Sequence, residues 1–303
     1  MIPASRNFSN RDISRYYSET TSDYSTLWFD RVNLAMHFGY QADASMTHAQ
    51  GLENSNRVLA DLADIHPGSR VLDAGCGLGG TSLWLAAKRS AQIVGIGIGE
   101  DQIRFANEEA NRRSLAGAAK FLVADFNAMP FKEHSFDVVW AQESLCHAKD
   151  KARFFKEAAR VLTPDGCIIV ADGMLKRTNV TDAERHLLLQ WFDGWKLSSL
   201  WTATELADAA REAEFSVISV EDVTANTVLS HRRLYLRACG MFPLAMLMRI
   251  VGLRNSVQTG NAFAALRQYQ ALKRGCWFYG ILVARKSKIA PVLSDQVARR
   301  NVG

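Results

Sequence analysis

The sequence predicts an α/β fold: a mostly parallel, doubly wound seven-stranded sheet with helices on both faces, an N-terminal helical cap and a helical insertion before the last strand. Three observations carry this prediction. From about residue 66, short apolar runs alternate with amphipathic helical segments for about 100 residues. A glycine-rich turn joins the first of these runs to its helix. The first 65 residues look helical and lack strand alternation, while a stretch rich in Met, Leu and Phe, about 225–272, precedes the final apolar run.

The elements follow in order. Asn10-Arg11-Asp12 offers a helix start before Ile13, and residues 46–63 carry apolar side chains near helical spacing. His66-Pro67-Gly68-Ser69 is a turn that closes this segment. Residues 70–73 form a short strand and 82–89 a helix, and the pair repeats at 92–96 and 101–113. Further strands lie at 120–123 and 136–140. An amphipathic helix over 151–162 stops at Pro164-Asp165-Gly166, and 167–172 is the fifth strand. Helices over 184–199 and 204–214, then strands over 215–223 and 276–285, complete the core. The expected division is a cap at 1–65, a core at 66–290 and a C-terminal tail at 291–303.

Composition excludes several classes. A hydrophobic content of 48% and a charged content of 22% are those of a globular chain with a sizeable core. The five cysteines are scattered without a C-x-x-C pair, which argues against a zinc site or a disulfide framework and for a reduced, cytoplasmic setting. The polar opening Met1-Ile2-Pro3-Ala4-Ser5-Arg6-Asn7 lacks a signal-peptide pattern. Residues 236–253 are strongly apolar, but Arg237, Pro243 and Arg249 interrupt them, so no stable membrane insertion is expected. A lid helix is the plainest reading of this stretch, with interfacial contact or a channel wall as alternatives. The net charge of +5 shows no stripe suited to nucleic acid. It suits an anionic or diphosphate-bearing ligand and an ordinary solvated surface equally.

The glycine turn carries the first chemistry. Within Val71-Leu72-Asp73-Ala74-Gly75-Cys76-Gly77-Leu78-Gly79-Gly80, the residues Gly75, Gly77 and Gly80 satisfy G-x-G-x-x-G, a pattern shared with dinucleotide-binding turns. Asp73 stands two residues before the first glycine, placed to order the loop and face a cationic ammonium. A dinucleotide instead needs the helix N-terminus kept free for pyrophosphate. The acid that such enzymes carry about 20 residues on is replaced by Gly97. Together these favour S-adenosylmethionine, with Asp73, Gly75, Cys76, Gly77, Gly79, Gly80 and Gly97 as candidate cofactor residues. Asp125, just past the third strand, suits an adenine amino group, with Phe126 bordering the ring; for Asp125 the alternative is a loop cap.

With these residues in view, residues 65–175 resemble class I S-adenosylmethionine-dependent methyltransferases. Within that class the chain is similar to the sterol and tocopherol C-methyltransferase group. Gln142-Glu143-Ser144-Leu145-Cys146-His147-Ala148-Lys149-Asp150-Lys151 resembles that group's E-x-x-x-H-x-x-D segment, and 155–166 its following helix and turn. The resemblance implies cofactor roles for Gln102 and Gln142. Tyr16-Tyr17 and residues 28–40 resemble its substrate-capping region less closely, and beyond residue 225 the similarity is thin. Bacterial enzymes that methylate a terpenoid side chain, including the teleocidin type, share this layout.

The expected reaction is methyl transfer to carbon of a hydrophobic, isoprenoid-type acceptor in secondary metabolism, passing through a carbocation. Glu143 and His147, just after the fourth strand, are candidate catalytic groups, as is Tyr17. For His147 a structural hydrogen bond is the alternative. Tyr16, Tyr24, Trp28, His37 and Phe38 are candidate substrate residues, against core packing of the lid. The helical spacing of Trp191 and Trp195 suits a core stripe. Transfer to oxygen or nitrogen, with His147 as base, and a non-catalytic cofactor-binding subunit are the competing readings. The N-terminal segment is expected either to close over its own site or to join a homo-oligomer.

Overall fold

The computed structural model describes residues 6–28 and 32–286. The expected tail at 291–303 lies outside the described residues. The strands are β1 (Arg70–Ala74), β2 (Gln92–Gly97), β3 (Ala119–Val123), β4 (Phe136–Gln142), β5 (Leu162–Leu175), β6 (Val217–Asp222) and β7 (Trp277–Arg285). They form one sheet in the order β3-β2-β1-β4-β5-β7-β6. Neighbours among β1 to β5 run parallel, and β7 runs antiparallel to both β5 and β6.

The helices are α1 (Asn10–Leu27), α2 (His48–Leu62), α3 (Gly80–Arg89), α4 (Glu100–Arg112), α5 (Lys151–Val161), α6 (Asp182–Trp195), α7 (Ala203–Glu212), α8 (Thr224–Ile250) and α9 (Ser256–Lys273). Successive strand side chains point to opposite faces, so a sheet covered on both sides reads as unbroken apolar runs. Leu72, Val139 and Ile168 pack with Phe154 and Phe155 of α5 and Leu206 of α7. Val71, Val138 and Ile169 belong to the opposite layer, which holds Leu59 of α2, Leu83 of α3, Leu188 of α6 and Ala264 of α9.

Four local expectations are corrected. The cap of α1 is Ser9, which makes a reciprocal capping box with Asp12, so the helix begins one position earlier than its polar start suggested. The N-terminal segment is not helical throughout: residues 32–47 are irregular. Their amides bond to distant groups and not to the carbonyls of a preceding helical turn, Phe38 to Glu143 Oε1, Gly39 to Ser230 Oγ and Tyr40 to the Gly51 carbonyl. Pro164-Asp165-Gly166 does not precede β5 but interrupts it: Leu162 pairs with Phe136 and Cys167 with Val138, leaving 163–166 as a bulge. Finally, α6 stops at Trp195 because Lys196 turns left-handed (φ 55°).

In the single chain the cap closes over its own site. Asp23 of α1 accepts from both terminal guanidinium nitrogens of Arg254, at 2.8 and 2.7 Å, and from Asn261 Nδ2 at 2.9 Å. Tyr16 donates its hydroxyl to Asn261 Oδ1 at 2.9 Å. The helical insertion and the cap are therefore one roof, above the carboxyl ends of the parallel strands.

Candidate active site

Two cavities meet under this roof, with volumes near 620 and 330 Å³, both in the range of small-molecule sites. The first is built around the turn from β1 to α3. Gly75 has φ 96° and Gly77 has φ 52°, conformations that glycine adopts at little cost. A Cβ on Gly75 would lie 2.3 Å from that of Ser144, so the turn could not approach β4's exit with any other residue.

Asp73, Gly75, Cys76, Gly77, Gly80, Gly97, Gln102, Asp125, Phe126 and Gln142 all line this first cavity. Gly79 does not. It is the N-cap of α3, and its Cβ position faces Phe121 and Ala106, which explains the glycine by helix packing. Asp73 is 2% exposed, Ser82 donates to its Oδ2 at 2.6 Å, and burial pushes its pKa up to about 6. Asp125 is more committed than expected: Oδ1 accepts from the Asn127 amide and Oδ2 from Asn10 Nδ2, both at 2.8 Å. The loop-cap reading and the cavity reading thus both describe it. Gln142 accepts from Thr81 Oγ1 and Trp140 Nε1 and donates to Ser55 Oγ. Asn127, which the sequence reading passed over, adds a buried side-chain oxygen without a partner to the same wall.

The second cavity is apolar and aromatic. Tyr16, Tyr24, Trp28 and Phe38 line it, with Trp191 and Trp195 from α6, Trp277 and Tyr279 from β7, and Met and Leu side chains of α8. His37 is a correction: it lines the first cavity instead, with Nδ1 donating to the Phe38 carbonyl, and burial holds its pKa down to about 4. Trp191 and Trp195 prove to be cavity walls as well as packing partners, their rings 5.9 Å apart and nearly perpendicular.

Tyr17, Met36, Glu143 and His147 line both cavities and so mark the junction. Glu143 follows β4 with a left-handed backbone (φ 52°), a strained conformation for a non-glycine residue. Its Oε1 accepts from the Phe38 amide at 2.6 Å and the Tyr279 hydroxyl at 2.8 Å. Burial nevertheless dominates and pushes its pKa up to about 8. His147 ends a single 3₁₀ turn, Leu145–His147. Its Nδ1 lies 3.0 Å from the Lys196 carbonyl, so Nδ1 carries the proton and Nε2 accepts from the Tyr17 hydroxyl at 2.8 Å. Burial brings its pKa down to about 4, leaving a neutral ring.

Asp172 was read only as the end of a strand, yet it lines the aromatic cavity. The Cys146 and Gly173 amides donate to it, and burial raises its pKa. An acid at the carboxyl end of a parallel strand is the signal that marks it. Tyr279 has no such signal, since it reaches Glu143 from the antiparallel strand β7. Lys151 is buried nearby and donates to the Ala148 carbonyl and Ser199 Oγ; burial lowers its pKa to about 8.

Residues 72–170 match the model of a family described as a methyltransferase domain. The chain is 31% identical over 219 residues to 27-O-demethylrifamycin SV methyltransferase of Amycolatopsis mediterranei (strain S699), covering 71% of this chain and 78% of that protein. It is 32% identical over 222 residues to cycloartenol-C-24-methyltransferase of Arabidopsis thaliana, covering 71% of this chain and 63% of the relative. Against two other curated relatives it spans 60% and 48% of their length. Among solved structures, that of the [4+2]-cyclase SpnF superposes with a TM-score of 0.77 at 24% identity, over 94% of this chain and 98% of that one. The Rossmann-like fold is shared with that structure, and the sequence match to the rifamycin enzyme extends over most of both chains; the chain belongs to the class I S-adenosylmethionine-dependent methyltransferases.

Proposed function

We propose that the protein methylates a carbon atom of a hydrophobic, isoprenoid-type acceptor held in the aromatic cavity, in secondary metabolism, with S-adenosylmethionine as donor. The observation that carries this reading is the makeup of the junction. A cavity walled by aromatic rings meets the glycine-turn cavity at two acceptor groups, Glu143 and His147.

The first cavity fits the cofactor. A bare glycine turn admits close approach, the buried Asp73 carboxylate suits an ammonium, and the partnerless Asn127 oxygen suits an amino or hydroxyl donor. Asp73, Gly75, Cys76, Gly77, Gly80, Gly97, Gln102, Asp125, Phe126 and Gln142 are the proposed cofactor residues. When bound, the cofactor supplies a methyl group already activated on a sulfonium. The chain's own task is then to position the acceptor and exclude water.

Methyl addition to an alkene leaves positive charge on the neighbouring acceptor carbon. Aromatic faces stabilise that charge by roughly 0.5–2 kcal/mol each, and the carboxyl groups of Glu143 and Asp172 lie on the same wall. The charge is discharged when an adjacent C–H proton leaves and its electron pair forms a new double bond. The Tyr17 hydroxyl oxygen takes that proton while passing its own to His147 Nε2, which the low pKa keeps unprotonated at neutral pH. Tyr16, Tyr24, Trp28 and Phe38 shape the acceptor's place. The five cysteines, all free, support a reducing, cytoplasmic setting.

Transfer to oxygen is the second reading. It is favoured by the likeness to an enzyme named for a 27-O-demethylrifamycin acceptor and by the neutral Nε2 of His147, a base for a hydroxyl. Isotope-labelled S-adenosylmethionine offered with a panel of isoprenoid alkenes, phenols, alcohols and amines separates the two. Label on a carbon of an alkene product supports the proposal; label on an ether or amine overturns it. Tight cofactor binding without turnover across the panel would favour a non-catalytic, cofactor-binding role.

A further inference from the structure

We infer that the outer face of the α8–α9 insertion is a contact surface for an anionic lipid bilayer, set at the rim of the aromatic cavity. Ten large apolar side chains are strongly exposed among the described residues, and seven of them fall between Leu236 and Leu253. Leu247, Ile250 and Val251 are 56%, 79% and 58% exposed. A patch this concentrated marks an interaction site and not ordinary surface scatter.

Charge identifies the occupant. Residues 224–273 contain seven Arg or Lys and not one Asp or Glu; Arg254 is paired with Asp23 inside the roof, so the outer surface draws on the others. The whole chain carries only +5, so the insertion holds more than the entire positive balance and the rest of the chain is net negative. Apolar side chains among guanidinium groups, with no acid between them, are the pattern of a helix lying in the headgroup region of an anionic membrane. No helix among the described residues is long and apolar enough to cross a membrane, so the contact is with the surface.

The cavity decides between lipid and a second protein copy. Met241, Leu244 and Leu253 are exposed and also line the aromatic cavity, so the patch is continuous with its rim. A second copy sealed over this face would close that side of the cavity. A fluid bilayer leaves it open and holds lipophilic acceptors in solution beside it. The supply of acceptor rests on the function proposed above, whereas the membrane contact does not.

Flotation of the full chain with vesicles tests this, with neither acceptor nor cofactor present, so a failed methylation reading would not alter the result. Vesicles of phosphatidylcholine with phosphatidylglycerol should carry the protein, phosphatidylcholine alone should carry much less, and raising the salt should release it. The double substitution Leu247→Glu, Ile250→Glu should weaken partitioning roughly tenfold or more. Both positions are exposed and outside the cavity lining, so its melting temperature and its turnover of a detergent-dispersed acceptor should match the parent's. Arg249→Glu should weaken only the component that depends on phosphatidylglycerol. Absence of flotation, or equal flotation of the double variant, would overturn the inference. So would a solution dimer that the double variant dissolves, since the face would then belong to a second copy.

Discussion

The two cavities meet at Tyr17, Met36, Glu143 and His147, yet the chain builds them in different ways. The glycine-turn cavity takes six lining residues from the short stretch Asp73 to Gly80, with others from α1, residues 34–37 and the ends of β2, β3 and β4. The aromatic cavity is assembled from α1, the loop at 34–38, the segment after β4, and α6, α8, α9 and β7. The first centres on one local turn, and the second has no such centre and joins pieces more than 250 residues apart. A methyltransferase core can therefore keep its donor site while its acceptor site changes with the lids.

The largest effect expected from this contrast is at the turn. Asp73→Ala should abolish cofactor binding, read by calorimetry with S-adenosylhomocysteine, while the melting temperature changes little. Gly75→Val should do the same and also destabilise the fold, because its Cβ would strike Ser144 at a φ of 96°. Unaltered affinity in Asp73→Ala would detach the turn from the donor site and undo the comparison.

At the junction the effect should fall on turnover instead. His147→Ala and Tyr17→Phe should each lower kcat by about 10²-fold, within the usual range for a group that moves a proton, with cofactor affinity kept. The two should not add, since both act through the 2.8 Å contact between Tyr17 and His147. Additive losses would mean that the pair does not work as one relay.

How much of this was legible in the sequence follows the same division. The strands and helices of the core could be read because both sheet faces are covered, so each strand appears as a compact apolar run. The place of Asp73 and the glycines on one turn could be read because a strand-to-helix connection fixes their positions within a few residues. Asp172 carries a readable signal, an acid at the end of a parallel strand, but Tyr279 carries none, since its importance lies in what the antiparallel strand brings to Glu143. The irregular path of 32–47 was hidden for a similar reason: its amides are bonded to Glu143, Ser230 and Gly51, partners that no local pattern announces. The aromatic neighbours of His37 suggest the aromatic cavity, but the chain turns there and His37 lines the glycine-turn cavity.

A smaller effect is expected at the roof, where the aromatic cavity depends on distant parts holding together. Asp23 and Arg254 have side chains only 12% and 11% exposed. Asp23→Asn should cost about 1–3 kcal/mol, below the value for a fully buried pair because some solvent reaches both groups. It should also raise the acceptor KM more than it lowers kcat, since the cap would close less firmly. An unchanged KM would show that the latch serves stability alone.

A last effect concerns stability alone, at Glu143, and its sign is opposite to the usual carboxylate case. Burial raises its pKa from an ordinary 4.5 to about 8, so the folded protein binds this proton more tightly than the unfolded chain. The stabilising contribution is complete below about pH 4.5 and is lost as the pH rises toward 8, where the folded protein must hold a buried charge. Glutamine keeps an acceptor for the Phe38 amide and the Tyr279 hydroxyl without ever ionising. Glu143→Gln should therefore match the parent's melting temperature near pH 4.5 and exceed it by a few degrees at pH 8–9. On the function proposed above, saturating cofactor should narrow that gap at high pH, because a cationic ligand bound near Glu143 would favour the ionised carboxylate. A gap that is constant with pH, or one that widens on acidification, would show that Glu143 is ionised throughout and holds only the loop of Phe38.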